Sequence, residues 1–407
     1  MIALLYQKGC LRIARSIASD LKTAFAGSIP VQLISAEAPF RWSEDPSWDD
    51  LLIALYRDSE TFGDSGNGFI EEYIDRRKGQ ASLLPVSLAS KPQKPPSAVA
   101  GVKALEFDLA AAGPSGRLVN RIGGMLGLRW SGRDSRIFIS YRAKDGAEIA
   151  TQLQQYLASL GHSAFLDQAK EDDGETMILP GRAIQEEIDR ALEDANMVLL
   201  IDTPSAPEST WINHEVDTAG SLLLPVLPIC FRASDDPKIG PRFPALLSLQ
   251  RWVQMPLPEK APRSLSQDQL EKIAHEAEQY LCEVFRRKCR VPHLVEKEFV
   301  SRGFAWKVLN KRLLMYQSSK SVPRISTRVI SHCSVFDPNY GPAMKRFMAF
   351  LKQAMRCNFS LFIYDGSLLP TSQLETIAGL HDEPVVILHH QELATLIDSN
   401  FTTLMTA

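Results

Sequence analysis

A chain of 407 residues is longer than one hydrophobic core ordinarily serves, so two or three domains are expected. Its 45% hydrophobic and 23% charged residues exclude a disordered or fibrous protein, and the net charge of −3 gives the whole chain no bias toward nucleic acid. No run reaches the ~18 uninterrupted apolar residues of a membrane span, so no membrane partner is expected. The amino terminus reads as a strand (IALLYQ) with no basic lead-in, not as a leader peptide. The six cysteines form no CxxC pair and are expected to be reduced thiols in a cytoplasmic protein.

In chain order, residues 1–130 alternate strand and helix signals. Ile2–Tyr6 is a buried strand, followed by Ile13, Ala14, Ile17, Ala18 and Leu21 at helical spacing. Short apolar strands at Val31–Ile34 and Leu51–Leu55, a helix in FIEEYIDRRKG and the strand SLLPVSL come next. A proline-rich loop (KPQKPPS), the strand KALEFDL and a helix from about Arg117 to Leu128 complete the region. Alternation of this kind predicts a parallel, doubly wound sheet.

The same order restarts at Ser135. A strand (SRIFISY) leads through the polar loop Arg142–Asp145 into a helix whose stripe is Ile149, Leu153, Tyr156, Leu157 and Leu160, stopped by Gly161. The strand SAFLDQ, an acidic loop from Lys170 to Gly181, a helix carrying Ile184, Ile188, Ala191 and Leu192, and the strand MVLLI follow. A helix start then places Trp211 and Glu215 four residues apart on one face, before the strands LLLPVLPI and QRWVQM. The two regions read as degenerate copies: DLLIALYRDS parallels NMVLLIDTPS, and the tetrapeptide LLPV recurs. The first copy has Phe69 where the second has Trp211, and Glu71 and Glu72 are wrongly spaced, so it is expected to be non-catalytic.

From Ser264 to about Lys320 the chain reads as helical and becomes basic, with Arg286, Arg287, Lys288, Arg290, Lys297, Arg302, Lys307, Lys311 and Arg312. Two readings stand: a phosphate-binding surface for nucleic acid, or a solvated or protein-docking face. The last stretch reads strand-helix-strand-helix-strand through PVVILHH, where His389 and His390, with no nearby cysteine or repeated acidic ligand, read as a structural pair sooner than as a site. The expected division is 1–130, 134–285, a basic helical connector over 286–325, and a small α/β unit over 326–407.

Residues 135–256 resemble a Toll/interleukin-1 receptor (TIR) domain of the bacterial kind. The resemblance rests on FISYRAKD, on FLD ending the second strand, on a loop closing in LPG, and on the pattern S-x-W-x-x-x-E over Ser209, Trp211 and Glu215. The departure is Ile212, where the family usually has Cys. The resemblance implies an α/β protein of flavodoxin-like doubly wound sheets, a central TIR domain flanked by a TIR-like amino-terminal domain and a small carboxy-terminal unit. It further implies cleavage of NAD+ at the nicotinamide–ribose bond with Glu215 as the catalytic group and no other cofactor or metal. Tyr141, Arg142, Asp145, Ser205 and Trp211 are the substrate-binding candidates. Homo-oligomers through TIR domains, gated by the acidic loop, and a role in bacterial immune or antiviral defence are the implied context. The alternative is a non-catalytic TIR scaffold for homotypic protein interaction, in which Glu215 is only a helix-start acid favoured by the dipole. A nucleoside deoxyribosyltransferase-like enzyme, also with a catalytic glutamate, is the third reading, against which the first strand speaks.

Overall fold

The computed structural model describes residues 1–38, 50–57, 62–76, 82–88, 95–107, 115–129, 136–166, 188–222, 224–246, 251–258, 264–310, 315–322, 325–334, 342–368 and 385–401. The chain falls into two compact units, one of residues 1–135, 152–164 and 266–286, the other of 136–151, 165–265 and 287–407.

The elements run β1 (Ile2–Tyr6), α1 (Leu11–Ala24), β2 (Val31–Ser35), β3 (Leu51–Tyr56), α2 (Gly63–Arg76), β4 (Leu83–Ser87), β5 (Leu105–Glu106) and α3 (Ser115–Arg129). The second series is β6 (Arg136–Ser140), α4 (Ala143–Ser159), β7 (Ala164–Leu166), β8 (Ala195–Asp202), α5 (Thr210–Ser221), β9 (Val226–Arg232), β10 (Val253–Pro256) and α6 (Gln267–Ser301). Last come β11 (Ala305–Asn310), β12 (Met315–Val322), β13 (Ile325–Ser334), α7 (Pro342–Ala354), β14 (Phe359–Tyr364), β15 (Val386–His389) and α8 (Leu393–Asp398).

Among the described residues three five-stranded sheets result, so the expected α/β class stands. The first has order β2-β1-β3-β4-β5 with every pair parallel. All six residues of β3 are buried, because a central parallel strand is covered on both faces; this is why LLIALY is continuously apolar and not alternating. The second sheet has order β7-β6-β8-β9-β10, the same arrangement shifted along the chain, which is the expected duplication seen in strand order. The LLPV match is not in structural register, however. Leu52 pairs with Leu83, whereas Val198, its counterpart in the aligned strands, pairs with Val226, three residues further along the tetrapeptide.

In the first unit, α3 meets α6 along a glycine stripe. A Cβ on Gly123 would lie 2.8 Å from Cys282 Cβ, one on Gly124 3.5 Å from Glu278 Cα, and one on Gly127 3.4 Å from the Leu281 carbonyl. The segment GGMLG is therefore apposed backbone, not weak helix. Beside it, Glu278 is buried between Arg121, whose Nε it pairs, and His162 Nε2 at 2.8 Å.

The basic segment departs from expectation. Helix α6 ends at Ser301, and residues expected to continue a helical connector form β11 and β12 instead. The charges concealed a period-two pattern, in which Trp306 and Tyr316 stack at 4.9 Å while Lys307 faces out. The third sheet thus begins before residue 326, with β11, β12 and β13 antiparallel and β13, β14 and β15 parallel. Several basic residues are engaged internally: Arg302 Nε holds Asp398 at 2.6 Å, Arg287 holds Asp365 at 3.2 Å, and Lys320 Nζ donates to the Arg302 carbonyl. No helix among the described residues is long and apolar enough to cross a membrane.

Candidate active site

The site is built where β6 and β8 end and α5 begins. Strand β6 brings an apolar run to a polar stop at Ser140, which is buried. Strand β8 is buried through Asp202 and hands on to Thr203, also buried. A short turn over Ala206–Glu208 leads to Ser209, whose side chain accepts the Ile212 amide at 3.4 Å as the N-cap of α5.

The inward stripe of α5 is Ile212, Glu215, Val216 and Ala219. Three of these belong to the apolar cluster with Phe138, Val198 and Leu200, and the fourth is a carboxylate, 4% exposed. Burying a carboxylate is unfavourable unless donors replace water. Ser140 supplies one, its Oγ donating to Glu215 Oε2 at 2.5 Å.

Trp211, a substrate-binding candidate, lies outside the core. It is 36% exposed, and the core position is the next residue, Ile212. The four-residue spacing puts Trp211 one turn before Glu215, but at the outer margin of the buried stripe. There its ring can wall an approach to the site; it does not fill the interior.

Arg142, Asp145 and Ser205 are brought together as a clasp. Arg142 Nη1 donates to the Ser205 carbonyl at 2.5 Å and to Glu208 Oε2 at 2.6 Å. Asp145, in the first turn of α4, accepts the Ser205 amide at 3.2 Å on one oxygen and the Thr203 hydroxyl at 2.6 Å on the other. The loop after β8 is thus held from both sides by the loop after β6. Arg142 is committed to this clasp and is not presented outward. Ser205 Oγ is buried with no hydrogen-bond partner among the described residues, so its capacity to donate is unspent. Tyr141 is half-buried against Gly146, where an added Cβ would come within 3.3 Å of the Tyr141 Cβ. The acidic loop Lys170–Gly181 lies outside the described residues.

Ser140 and a second polar centre escaped the sequence reading. At the ends of β8 and β9, Asp202 and Arg232 form a buried ion pair at 2.6 Å, with Arg232 also donating to the Asp202 and Gly240 carbonyls at 2.8 and 2.6 Å. The Arg242 amide adds a donor to Asp202 at 3.0 Å. Burial, then the neighbouring Asp202 carboxylate, pushes the Cys230 thiol up to about 12. The available signal was a charged or hydroxyl residue terminating an otherwise apolar strand, in FIS, LLID and ICFR.

The duplicated sheet supplies an internal comparison. By strand register Ser140 corresponds to Leu5, since Ser140 pairs Leu200 and Leu5 pairs Ala54. On the helix Glu215 corresponds to Tyr73, whose buried hydroxyl donates to the Ser82 carbonyl at 2.8 Å. Both members of the Ser140–Glu215 pair are therefore absent from the first sheet.

No curated protein sequence matches the chain. Among solved structures, the TIR domains of the activated Roq1 resistosome directly recognising the pathogen effector XopQ are similar over 37% of this chain and 84% of that one, at 16% identity and a TM-score of 0.21. The C-terminal domain of glucosamine-fructose-6-phosphate aminotransferase from Francisella tularensis matches over 70% of this chain and 85% of that one, at 8% identity and a TM-score of 0.22. At such scores neither match carries weight for this chain. Residues 137–265 match the sequence family described as the TIR domain, which puts a TIR domain at the centre of the chain, bearing Ser140, Arg142, Asp145, Ser205 and Glu215.

Proposed function

We propose that the central domain is an NAD+ nucleosidase that releases nicotinamide and leaves ADP-ribose or its cyclic form, with Glu215 as the catalytic carboxylate. The observation that carries this reading is a glutamate buried in the second turn of α5, beside the carboxyl ends of parallel strands, with Ser140 donating to it at 2.5 Å. Nicotinamide leaves as a neutral molecule, so little acid assistance is needed. The requirement is to stabilise the cationic ribose at C1′, and one preorganised carboxylate does this in a low-dielectric site. In the hydrolytic outcome water adds to C1′, nicotinamide departs with the electrons of the broken bond, and one proton is released. Ser205 Oγ is the donor offered to the ribose or phosphate, Tyr141 and Trp211 line the approach, and Arg142 and Asp145 fix the loop that carries Ser205.

Glu215 is closed off at 4% exposure, which fits an enzyme silent until assembly opens it. Assembly through TIR domains, with the first sheet as a non-catalytic sibling, and service in cellular defence extend the same reading. The same burial favours a competing one, in which Glu215 is a structural carboxylate of a non-catalytic interaction module. Purified protein incubated with NAD+, free and forced to oligomerise, distinguishes them by chromatography of nicotinamide. Release by the wild type and not by Glu215→Ala supports catalysis; release by neither form supports the scaffold.

A further inference from the structure

In the third sheet, three metal-ligating side chains converge at the carboxyl ends of the parallel strands β14 and β15. Asp365 directly follows β14 and is buried; His389 closes β15 and His390 opens the next turn. Tyr364 pairs with His389 in the strand register, and this brings the carboxylate to a histidine pair that looks solitary in the sequence. One ligand atom from each of the three lies within 4.8 Å of the others.

The present hydrogen bonds leave the two imidazoles under-used. His390 Nδ1 is buried without a partner among the described residues, and His389 Nδ1 receives only a 3.3 Å bond from the Gln391 amide. The two rings lie 4.5 Å apart. Asp365 is oriented by the Ser367 amide at 3.0 Å and by the Ser367 hydroxyl, the kind of outer support that aims a ligand. Two imidazoles and one carboxylate are the donor set of zinc and its first-row neighbours, and three protein ligands leave a position open. Ligand atoms on a tetrahedral ion at ~2.1 Å stand ~3.4 Å apart, so the cluster needs only a small closing movement.

We propose that Asp365, His389 and His390 form a three-ligand site for a divalent transition ion of the zinc class, independent of the NAD+ reading. Arg287 is its competitor, because it already donates to Asp365 Oδ2 at 3.2 Å as well as to Ser367 Oγ.

Full-length protein, stripped with a chelator, is titrated with Zn2+ by calorimetry and with Co2+ by visible absorption. One tight equivalent is expected. Asp365→Asn and His390→Gln each weaken it at least ~10-fold, while Arg287→Ala, which removes a competing cation and no ligand, tightens it. No binding by the wild type, equal binding by His390→Gln, or unchanged affinity in Arg287→Ala overturns the proposal. Should a ligand variant fail to fold, zinc-edge X-ray absorption on the loaded wild type decides. Two imidazoles with oxygen ligands support the site, and an all-oxygen shell overturns it.

Discussion

At the scale of single residues, the central fact is a carboxylate and a hydroxyl held together inside an apolar cluster. Ser140→Ala leaves Glu215 Oε2 without the 2.5 Å donor, and a lost partner to a buried group costs about 1–3 kcal/mol. The expected outcome is a lower Tm together with slower nicotinamide release. A variant with wild-type Tm and rate contradicts the positioning role. Glu215 was legible because S-x-W-x-x-x-E fixes both its cap and its helical face. Ser140 was not, because a serine closing an apolar strand has no partner in the sequence; its partner is 75 residues away and is supplied by packing. Spacing puts Trp211 on the same helix face as Glu215, but it does not show at which edge of that face the ring lies.

At the scale of elements, two close contacts set the packing. Helix α3 approaches α6 through Gly123, where a Cβ would lie 2.3 Å from Cys282 Sγ. Gly123→Ala must shift that sulfur or separate the helices, and overpacking of this kind costs about 1–3 kcal/mol despite alanine's better helix propensity. Chemical unfolding of the two proteins measures it, and a more stable Ala variant contradicts the contact. In the central domain, Asp202 and Arg232 hold the ends of β8 and β9 together. Arg232→Met leaves a buried carboxylate and is expected to lose ~3–5 kcal/mol, whereas the Asp202→Leu, Arg232→Met double variant recovers much of that loss. Additive losses in this cycle would show that the two groups are not coupled. The strands of these two sheets were readable from apolar runs between turn signals. Strands β11 and β12 were not, because basic and serine-rich sequence on a partly exposed antiparallel pair carries neither a long apolar run nor a helical stripe.

At the scale of the whole molecule, the chain repeats one strand order twice and closes with a mixed sheet. The repeat was visible in the aligned strands, but the three-residue slide of the fourth strand was not, since identical tetrapeptides imply a register that hydrogen bonding does not keep. The cysteines report on the integrity of all three sheets. All six are buried thiols outside any disulfide, and burial pushes Cys230 and Cys282 up to about 12. A thiol reagent at neutral pH is expected to label none in the native protein and all six after denaturation; rapid native labelling would contradict the packing. The sign of the linkage follows. Above the ~8.5 of an unfolded thiol, the unfolded state loses protons that the folded state keeps, so stability falls as pH rises from that value toward 12. A Tm series across that range checks this, and a flat series contradicts it.

The most direct test of the account is nicotinamide release by the assembled protein carrying Glu215→Gln, which keeps the shape of the side chain and removes only its charge. If the carboxylate stabilises a cationic ribose, the substitution lowers the rate at least ~100-fold, with the fold and the assembly unchanged. Nicotinamide release at the wild-type rate from Glu215→Gln would contradict the account.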